Sequence, residues 1–393
     1  LASLVPLKYL SKGDTFTLID RTSGLISRLD EEQTVEYGAF SYLFSVEQKS
    51  LENEPTVKES SNDNEPETPL TLTLQSSSLT GGSDGAAKAY LESSLAGLHT
   101  VALGGRFVAT TGIGEAVKAT RGPSEGRTGF AISAAFTAGY QEINSGSKIE
   151  GENYNAMSAF TWRIDNRYGS TRIGVFAEGG WGDYDTRNGF AARSIKGDSD
   201  IDYAGGGIFA RHDFTNGIYT EGSFRIGNVR GDFSSSDIGN GAAFDSKMTY
   251  WGSHIGFGYI HAFSEVDSLD TYAKLYLTRQ GSDSVTTDAK ERLRLDSADS
   301  LTTHLGARYT HEFNNDLGFH FGLAWEHEYE GEQTGSLDGL DIGSPDMGGD
   351  SGIAEIGLRW KPERTGWSFD LTAHGGLGVR DSIGGTINIA YEF

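Results

Sequence analysis

Three stretches hold residues of the types that do chemistry. "GGSDG" (81–85) has the G-x-S-x-G spacing of a hydrolase nucleophile elbow, which would make Ser83 a nucleophile on a strand-to-helix turn. No α/β alternation surrounds it to supply an Asp and a His from a parallel sheet, so it reads as a linker leading into a helix. "WEHEYEGE" (325–332) gathers His and Glu but lacks the H-E-x-x-H spacing that puts two imidazoles on one helical face. On a strand, His327 and Glu328 point to opposite faces. "DGLDIGSPDMGGD" (338–350) offers carboxylates to Ca²⁺ without the EF-hand spacing, and reads as a solvated loop. These stretches assign no catalytic residue, no metal ligand and no cofactor.

Composition narrows the classes further. A net charge of −23 opposes recognition of nucleic acid through its phosphates. With no cysteine there is neither a disulfide framework nor a thiolate metal site. Gly at 54, Pro at 7 and aromatics at 11% describe a β protein. No apolar run reaches the length of a transmembrane helix, but a transmembrane strand needs only about 9–11 residues, half of them apolar. The chain begins on Leu, and is expected to be a fragment of a longer precursor.

Three regions follow from the patterning: 1–83, 84–120 and 121–393. In the first, "GDTFTLIDRTSGL" and "TPLTLTLQ" read as strands, and the acidic, Pro-punctuated "EQKSLENEPTVKESSNDNEPETP" between them as a mobile loop. In the second, "DGAAKAYLESSLAGLHTVALGGRFVATT" (84–111) reads as a helix with Asp84 as N-cap and Leu91, Leu95, Leu98 and Ala102 at helical spacing. Its other faces are mainly small, so it is slim enough for a confined space.

From about residue 126 the period becomes 2, and twelve strands are expected: 126–142, 154–164, 170–185, 200–212, 217–232, 248–263, 269–280, 301–313, 317–330, 352–361, 366–379 and 384–393. Their connections alternate. "DNRYG", "DFTNG", "FSEVDS", "FNND" and "KPERTG" are short. "NSGSKIEGEN", "NGFAARSIKGDSD", "SSSDIGNGAAFDSK", "SDSVTTDAKERLRLDSADS" and "GEQTGSLDGLDIGSPDMGGD" are long and polar, and only "RDSIG" breaks the rule. An even number of strands with short turns at one end and long loops at the other is the pattern of an antiparallel transmembrane barrel. The faces agree. Phe319, Phe321, Leu323 and Trp325 share a side, as do Ile356, Leu358 and Trp360, and Trp367, Phe369 and Leu371. The opposite side carries Glu178, Glu221, Arg225, Lys274, Arg308, Glu326, Glu355 and Arg359, expected to line a polar lumen. Trp181, Trp251, Phe263, Phe313, Trp360 and Trp367 are expected in the interfacial girdles. The fold class is therefore all-β, a closed twelve-stranded barrel with a preceding helix.

The helix "DGAAKAYLESSLAGLHTVALGGRFVA" resembles the linker that precedes the translocator barrel of monomeric autotransporters, the type V secretion proteins. Lys88, Ala89, Glu92, Leu95, Ala96, Gly97, Phe107, Val108 and Ala109 carry the likeness. "GVFAEGGWGDYDT", "GGGIFARHDFTNGIYTEGSFRIGNVRGDF", "DTYAKLYLTRQ", "LGARYTHEF" and "INIAYEF" extend it over about residues 84–393.

The resemblance implies a Gram-negative outer-membrane barrel, monomeric and lipid-embedded, that exports an N-terminal passenger to the cell surface. It implies that the helix plugs the pore through Lys88, Tyr90, Glu92, Leu95, Gly97, Leu98 and Phe107. Residues 1–83 are then the end of the passenger, the last part of a β-helical stem. It further implies periplasmic chaperones and a barrel assembly machinery that reads Ile387, Ile389, Tyr391 and Phe393 as a terminal signal. Some members cut the passenger free with an Asn in this helix. Residues 84–111 contain none, so the passenger is expected to stay attached or to be cut by another route. A stand-alone porin-like channel, an adhesin acting through its long loops, and a soluble β protein are the alternatives.

Overall fold

A computed structural model describes residues 12–13, 15–22, 32–37, 39–48, 68–79, 86–120, 129–190, 193–238, 241–314, 316–362 and 365–393. Ser83, Asp84 and most of the acidic stretch expected as a mobile loop lie outside the described residues.

Four strands come first: β1 (Thr15–Thr22), β2 (Glu32–Tyr37), β3 (Phe40–Gln48) and β4 (Thr68–Leu79). They form an antiparallel sheet in the order β1-β4-β3-β2. The two strands read from the sequence are β1 and β4. The helix follows as α1 (Lys88–Phe107), a π-helical turn (Val108–Gly112) and α2 (Ile113–Ala119). Ala87 occupies its N-cap position without a side-chain hydrogen bond.

The barrel comprises β5 (Phe130–Asn144), β6 (Lys148–Asn166), β7 (Gly169–Phe190), β8 (Arg193–Phe214), β9 (Ile218–Ser235), β10 (Ala242–Ala262), β11 (Asp267–Gln280), β14 (Ala298–Glu312), β15 (Leu317–Glu328), β18 (Gly349–Trp360), β19 (Trp367–Gly378) and β20 (Arg380–Glu392). Twelve antiparallel strands close when β20 pairs with β5, so no edge is left with unpaired backbone groups. Each corresponds to one strand read from the sequence.

The structure corrects the long loops. β7 and β8 are 22 residues each, roughly twice the ~9–11 needed to cross a bilayer, and take in the described residues of "NGFAARSIKGDSD". "NSGSKIEGEN" becomes a tight turn and the start of β6. The outward face of β7 shows why. Ile173, Val175 and Trp181 are exposed apolar residues, and Asp183 and Asp185 follow. Beyond Trp181 the outer face meets water and the hydrophobic alternation disappears, although the chain stays extended.

Aromatic side chains mark both borders of the apolar band. Tyr154 stacks on Trp181 and Phe224 on Trp251 toward the long-strand end. At the short-turn end Phe313 stacks on Phe319, and Trp360 and Trp367 on Phe369.

The two longest predicted loops are also ordered. They supply β12 (Asp283–Thr286), β13 (Arg292–Leu295), β16 (Gly335–Leu337) and β17 (Leu340–Asp341), a four-stranded sheet capping the long-strand end. Leu293, Leu295 and Leu337 on this cap join Tyr90 and Leu91 of the helix in one buried cluster.

Candidate functional site: a helix held in the barrel lumen

The helix runs through the lumen with nearly every residue from Lys88 to Ala102 buried, so no face of it is left for water. A helix in this position cannot be amphipathic. The leucine spacing that pointed to a helix does not mark a single buried side, since Ala96, Ser93 and Thr100 are as buried as Leu95 and Leu98. Small residues let it fit. A Cβ on Gly105 would stand 2.7 Å from Nη2 of Arg225, and one on Gly104 would overlap the Tyr203 hydroxyl. One on Gly97 would lie 3.2 Å from Oε1 of Gln280.

The wall holds the helix by its backbone as well as its side chains. Arg225 donates to the Val101 carbonyl (2.6 Å) and to both oxygens of Glu178 (3.1 Å each). Tyr250 donates to Glu178 at 2.7 Å. Lys274 donates to the Ala109 carbonyl (2.8 Å) and pairs with Glu221 (2.6 Å), which Arg211 also reaches at 3.2 Å. Gln280 donates to the Ser94 carbonyl at 3.1 Å. At the far end Arg163 and Arg172 donate to the Thr120 carbonyl at 3.3 and 3.4 Å, two cations at the negative end of the helix dipole.

Of the lumen charges named from the sequence, Glu178 and Arg225 meet α1 at Val101, and Glu221 and Lys274 meet the π-helical turn at Ala109. Glu326 pairs with Arg106 of the helix at 3.2 Å and with Arg380 at 3.2 Å. Arg308 and Glu355 form a two-pronged pair at 2.5 and 3.0 Å, away from direct contact with the helix backbone. Arg359 pairs with Glu312 near the short-turn end.

Among the helix residues, Tyr90 meets Phe233 and Phe244 edge-on and donates to Glu291. Glu92 accepts from Asn188 (2.6 Å) and Ser147, and Lys88 donates to the Ser145 carbonyl (3.3 Å). Leu95 and Leu98 lie in the main buried cluster, and Phe107 packs with Phe176 and Phe209 in a second. In "WEHEYEGE", Glu326 and Glu328 turn inward, while His327 turns outward to Asp350 (2.8 Å). Among the described residues no group of three or more His, Asp or Glu converges as metal ligands.

Sequence reasoning missed Arg106, Gln280, Arg380 and His304. Arg106 was findable, because a guanidinium in the small and apolar second half of the helix demands an acid opposite. The others look like any polar strand residue until the register is known. α1 packs mainly on β6–β11, and a cavity of about 160 Å³ remains toward β14–β20, lined by Arg106, Glu326 and Arg380 among others.

At the carboxyl terminus Ile387, Ile389 and Phe393 face outward, with Tyr391 half-buried beside them, and Thr386, Asn388 and Glu392 are buried. Phe393 donates its backbone N–H to the Phe130 carbonyl (3.0 Å) and stacks on its ring (5.3 Å), joining the end of β20 to the first barrel strand.

Comparison with known proteins agrees with this arrangement. The translocator domain of the autotransporter NalP from Neisseria meningitidis superposes with a TM-score of 0.57 at 12% identity, over 75% of this chain and 96% of that one. The beta domain of the Bordetella autotransporter BrkA gives 0.54 at 12%, over 67% and 99%. The transport unit of AIDA-I from Escherichia coli gives 0.53 at 13%, over 71% and 97%. These likenesses are of fold. No curated protein sequence matches significantly. The family described as autotransporter beta-domain matches residues 132–374, more than half of the chain. The chain belongs to that family: it is an outer-membrane translocator barrel that exports a passenger joined to its amino-terminal side.

Proposed function

We propose that the helix is the permanent seal of the pore once the passenger has crossed, and that the passenger remains attached through it. The observation that carries this is the capture of main-chain carbonyls by strand side chains: Ser94 by Gln280, Val101 by Arg225 and Ala109 by Lys274. Backbone capture does not depend on the side chains of the segment, so the wall can hold whatever slim helix arrives last. The helix has no Asn to attack its own backbone, which favours retention of the passenger. On this reading Ile387, Ile389, Tyr391 and Phe393 present the terminal strand to a barrel assembly machinery, periplasmic chaperones deliver the unfolded chain, and the barrel works as a monomer in lipid.

Planar-bilayer recording of the whole chain beside a chain lacking residues 1–119 tests the seal. The whole chain should conduct weakly and the truncated one strongly. A large conductance that does not rise on truncation would refute the plug.

A further inference from the structure

The cap sheet touches more than the helix. Glu291, at the start of the β13 segment, is buried at 2% exposure and receives three hydrogen bonds. The Ala39 backbone N–H donates to its Oε1 at 2.6 Å. The Tyr90 hydroxyl donates to its Oε2 at 2.9 Å, and Thr287 Oγ1 to the same oxygen at 3.2 Å. Ala39 stands in the turn between β2 and β3, at the tip of the β2–β3 hairpin. Tyr90 lies in the first turn of α1. One carboxylate on a barrel loop therefore grips the β2–β3 hairpin with one oxygen and the pore helix with the other.

Packing repeats the connection. Ala39 and Phe44 of the hairpin region, Tyr90 and Leu91 of the helix and Leu293 and Leu337 of the cap belong to a single buried cluster. The fit is close, since a Cβ on Gly335 would stand 2.6 Å from Cδ2 of Leu91. Gln333, beside β16, accepts from Ser94 one turn further along the helix at 2.9 Å.

We propose that the cap is a docking seat for the β2–β3 hairpin of the exported segment, and that Glu291 couples seating of this hairpin to seating of the pore helix. An extended hairpin presenting a free backbone N–H at its turn and an aromatic behind it is the partner the seat fits. Ala39 is recognised through its main chain, and Phe44 fills the apolar part. Because each partner holds the same carboxylate in place for the other, docking of one lowers the cost of ordering Glu291 for the second, and the coupling is reciprocal. The exported segment thereby helps to keep shut the pore it left through. The proposal rests on the plug reading and on residues 1–83 being the end of the passenger.

The test uses the full chain in lipid, with heat-modifiable migration as the check that the barrel has folded. Hairpin docking is read as a spin-label distance between positions 45 and 340, and helix seating as the frequency of pore openings. Glu291→Ala should lengthen the distance and raise openings about tenfold or more. Glu291→Gln should restore both, because its carbonyl accepts from Ala39 and its amide donates to the Tyr90 oxygen.

Ala39→Pro removes the hairpin's donor while leaving every barrel and helix residue unchanged, and should also raise openings. An undocked Ala39→Pro hairpin with unchanged openings would overturn the coupling, and a hairpin that stays docked in both Glu291→Ala and Ala39→Pro would overturn the seat. The distance measurement does not depend on the pore being plugged, so a failure of the plug reading appears separately, as a truncation that leaves conductance unchanged.

Discussion

Lys274 sets its ammonium 2.8 Å from the Ala109 carbonyl and 2.6 Å from Glu221, so one buried cation ties the π-helical turn of the plug to the barrel wall. Removing it strands Glu221 in the lumen with Arg211 and His254 as its remaining partners. Breaking a buried pair by deleting one partner costs about 3–5 kcal/mol. Lys274→Met should therefore raise the open-state occupancy of the pore by about a hundredfold or more in single-channel records. The barrel should still migrate as a folded species. Occupancy equal to the parent's would show that the helix is held by packing alone.

Gly104 tests whether slimness matters in itself. A methyl group there overlaps the Tyr203 hydroxyl, which already donates to Asn155 at 2.8 Å. Overpacking of this kind costs about 1–3 kcal/mol. Gly104→Ala should loosen the seated helix, and Tyr203→Phe should cost about 1 kcal/mol by leaving Asn155 unpaired. Combined, they should cost less than the sum, since Phe clears the space the methyl needs. Additive effects on pore opening would mean that Gly104 is present for a reason other than clearance.

The lipid-facing stretches were legible because they obey one rule over many residues. Phe319, Phe321, Leu323 and Trp325 alternate with polar residues, and a bilayer accepts no exception on that face. β7 beyond Asp185 obeys a different rule, with Arg187 outward and Thr186 and Asn188 inward, and polar residues on both sides read as loop. The cap was invisible for a further reason. β13 and β16 pair only after the barrel brings two loops together, Leu293 opposite Leu337. The Arg106–Glu326 pair joins positions 220 apart in sequence, and only the register of β14, β15 and β18 puts Glu326 at that height. Lumen faces could be read strand by strand, whereas partners depend on closure of the whole barrel.

Glu291 gives the cap a pH dependence with a definite sign. Burial, with Asp338 nearby adding its negative charge, holds its carboxyl above the ordinary glutamate range. Hydrogen bonds from Ala39, Tyr90 and Thr287 oppose this without cancelling it. The docked state then binds a proton more tightly than the undocked state does. Stability from that proton is fully present below the ordinary pKa of about 4.3 and is lost as pH rises through the raised value. Hairpin docking, followed by the 45–340 spin-label distance, should weaken as pH rises above the ordinary glutamate range. In Glu291→Gln that dependence should flatten. Docking that strengthens toward pH 8 would place the titration on another group.

Phe393 extends the closing β20–β5 seam of the barrel by one residue. Its N–H bond to the Phe130 carbonyl continues the β20–β5 ladder by one step, and its ring covers Phe130 and meets Tyr391 edge-on at 4.8 Å. Half of its surface still faces outward at the short-turn border, where an aromatic is favoured between hydrocarbon and headgroups. Phe393→Asp keeps the backbone bond but sets a charge at the lipid border and removes both ring contacts. It should lower the yield of membrane-inserted barrel in cells several-fold, read as the heat-modifiable fraction of total chain. Phe393→Tyr, which keeps a ring at an interface that tolerates a hydroxyl, should insert like the parent. Refolding into detergent micelles separates two causes. If Phe393→Asp refolds normally there but fails in cells, the terminal ring acts through recognition during assembly. If it fails in both, the ring acts by stabilising the β20–β5 seam. Normal insertion in both settings would remove Phe393 from either role.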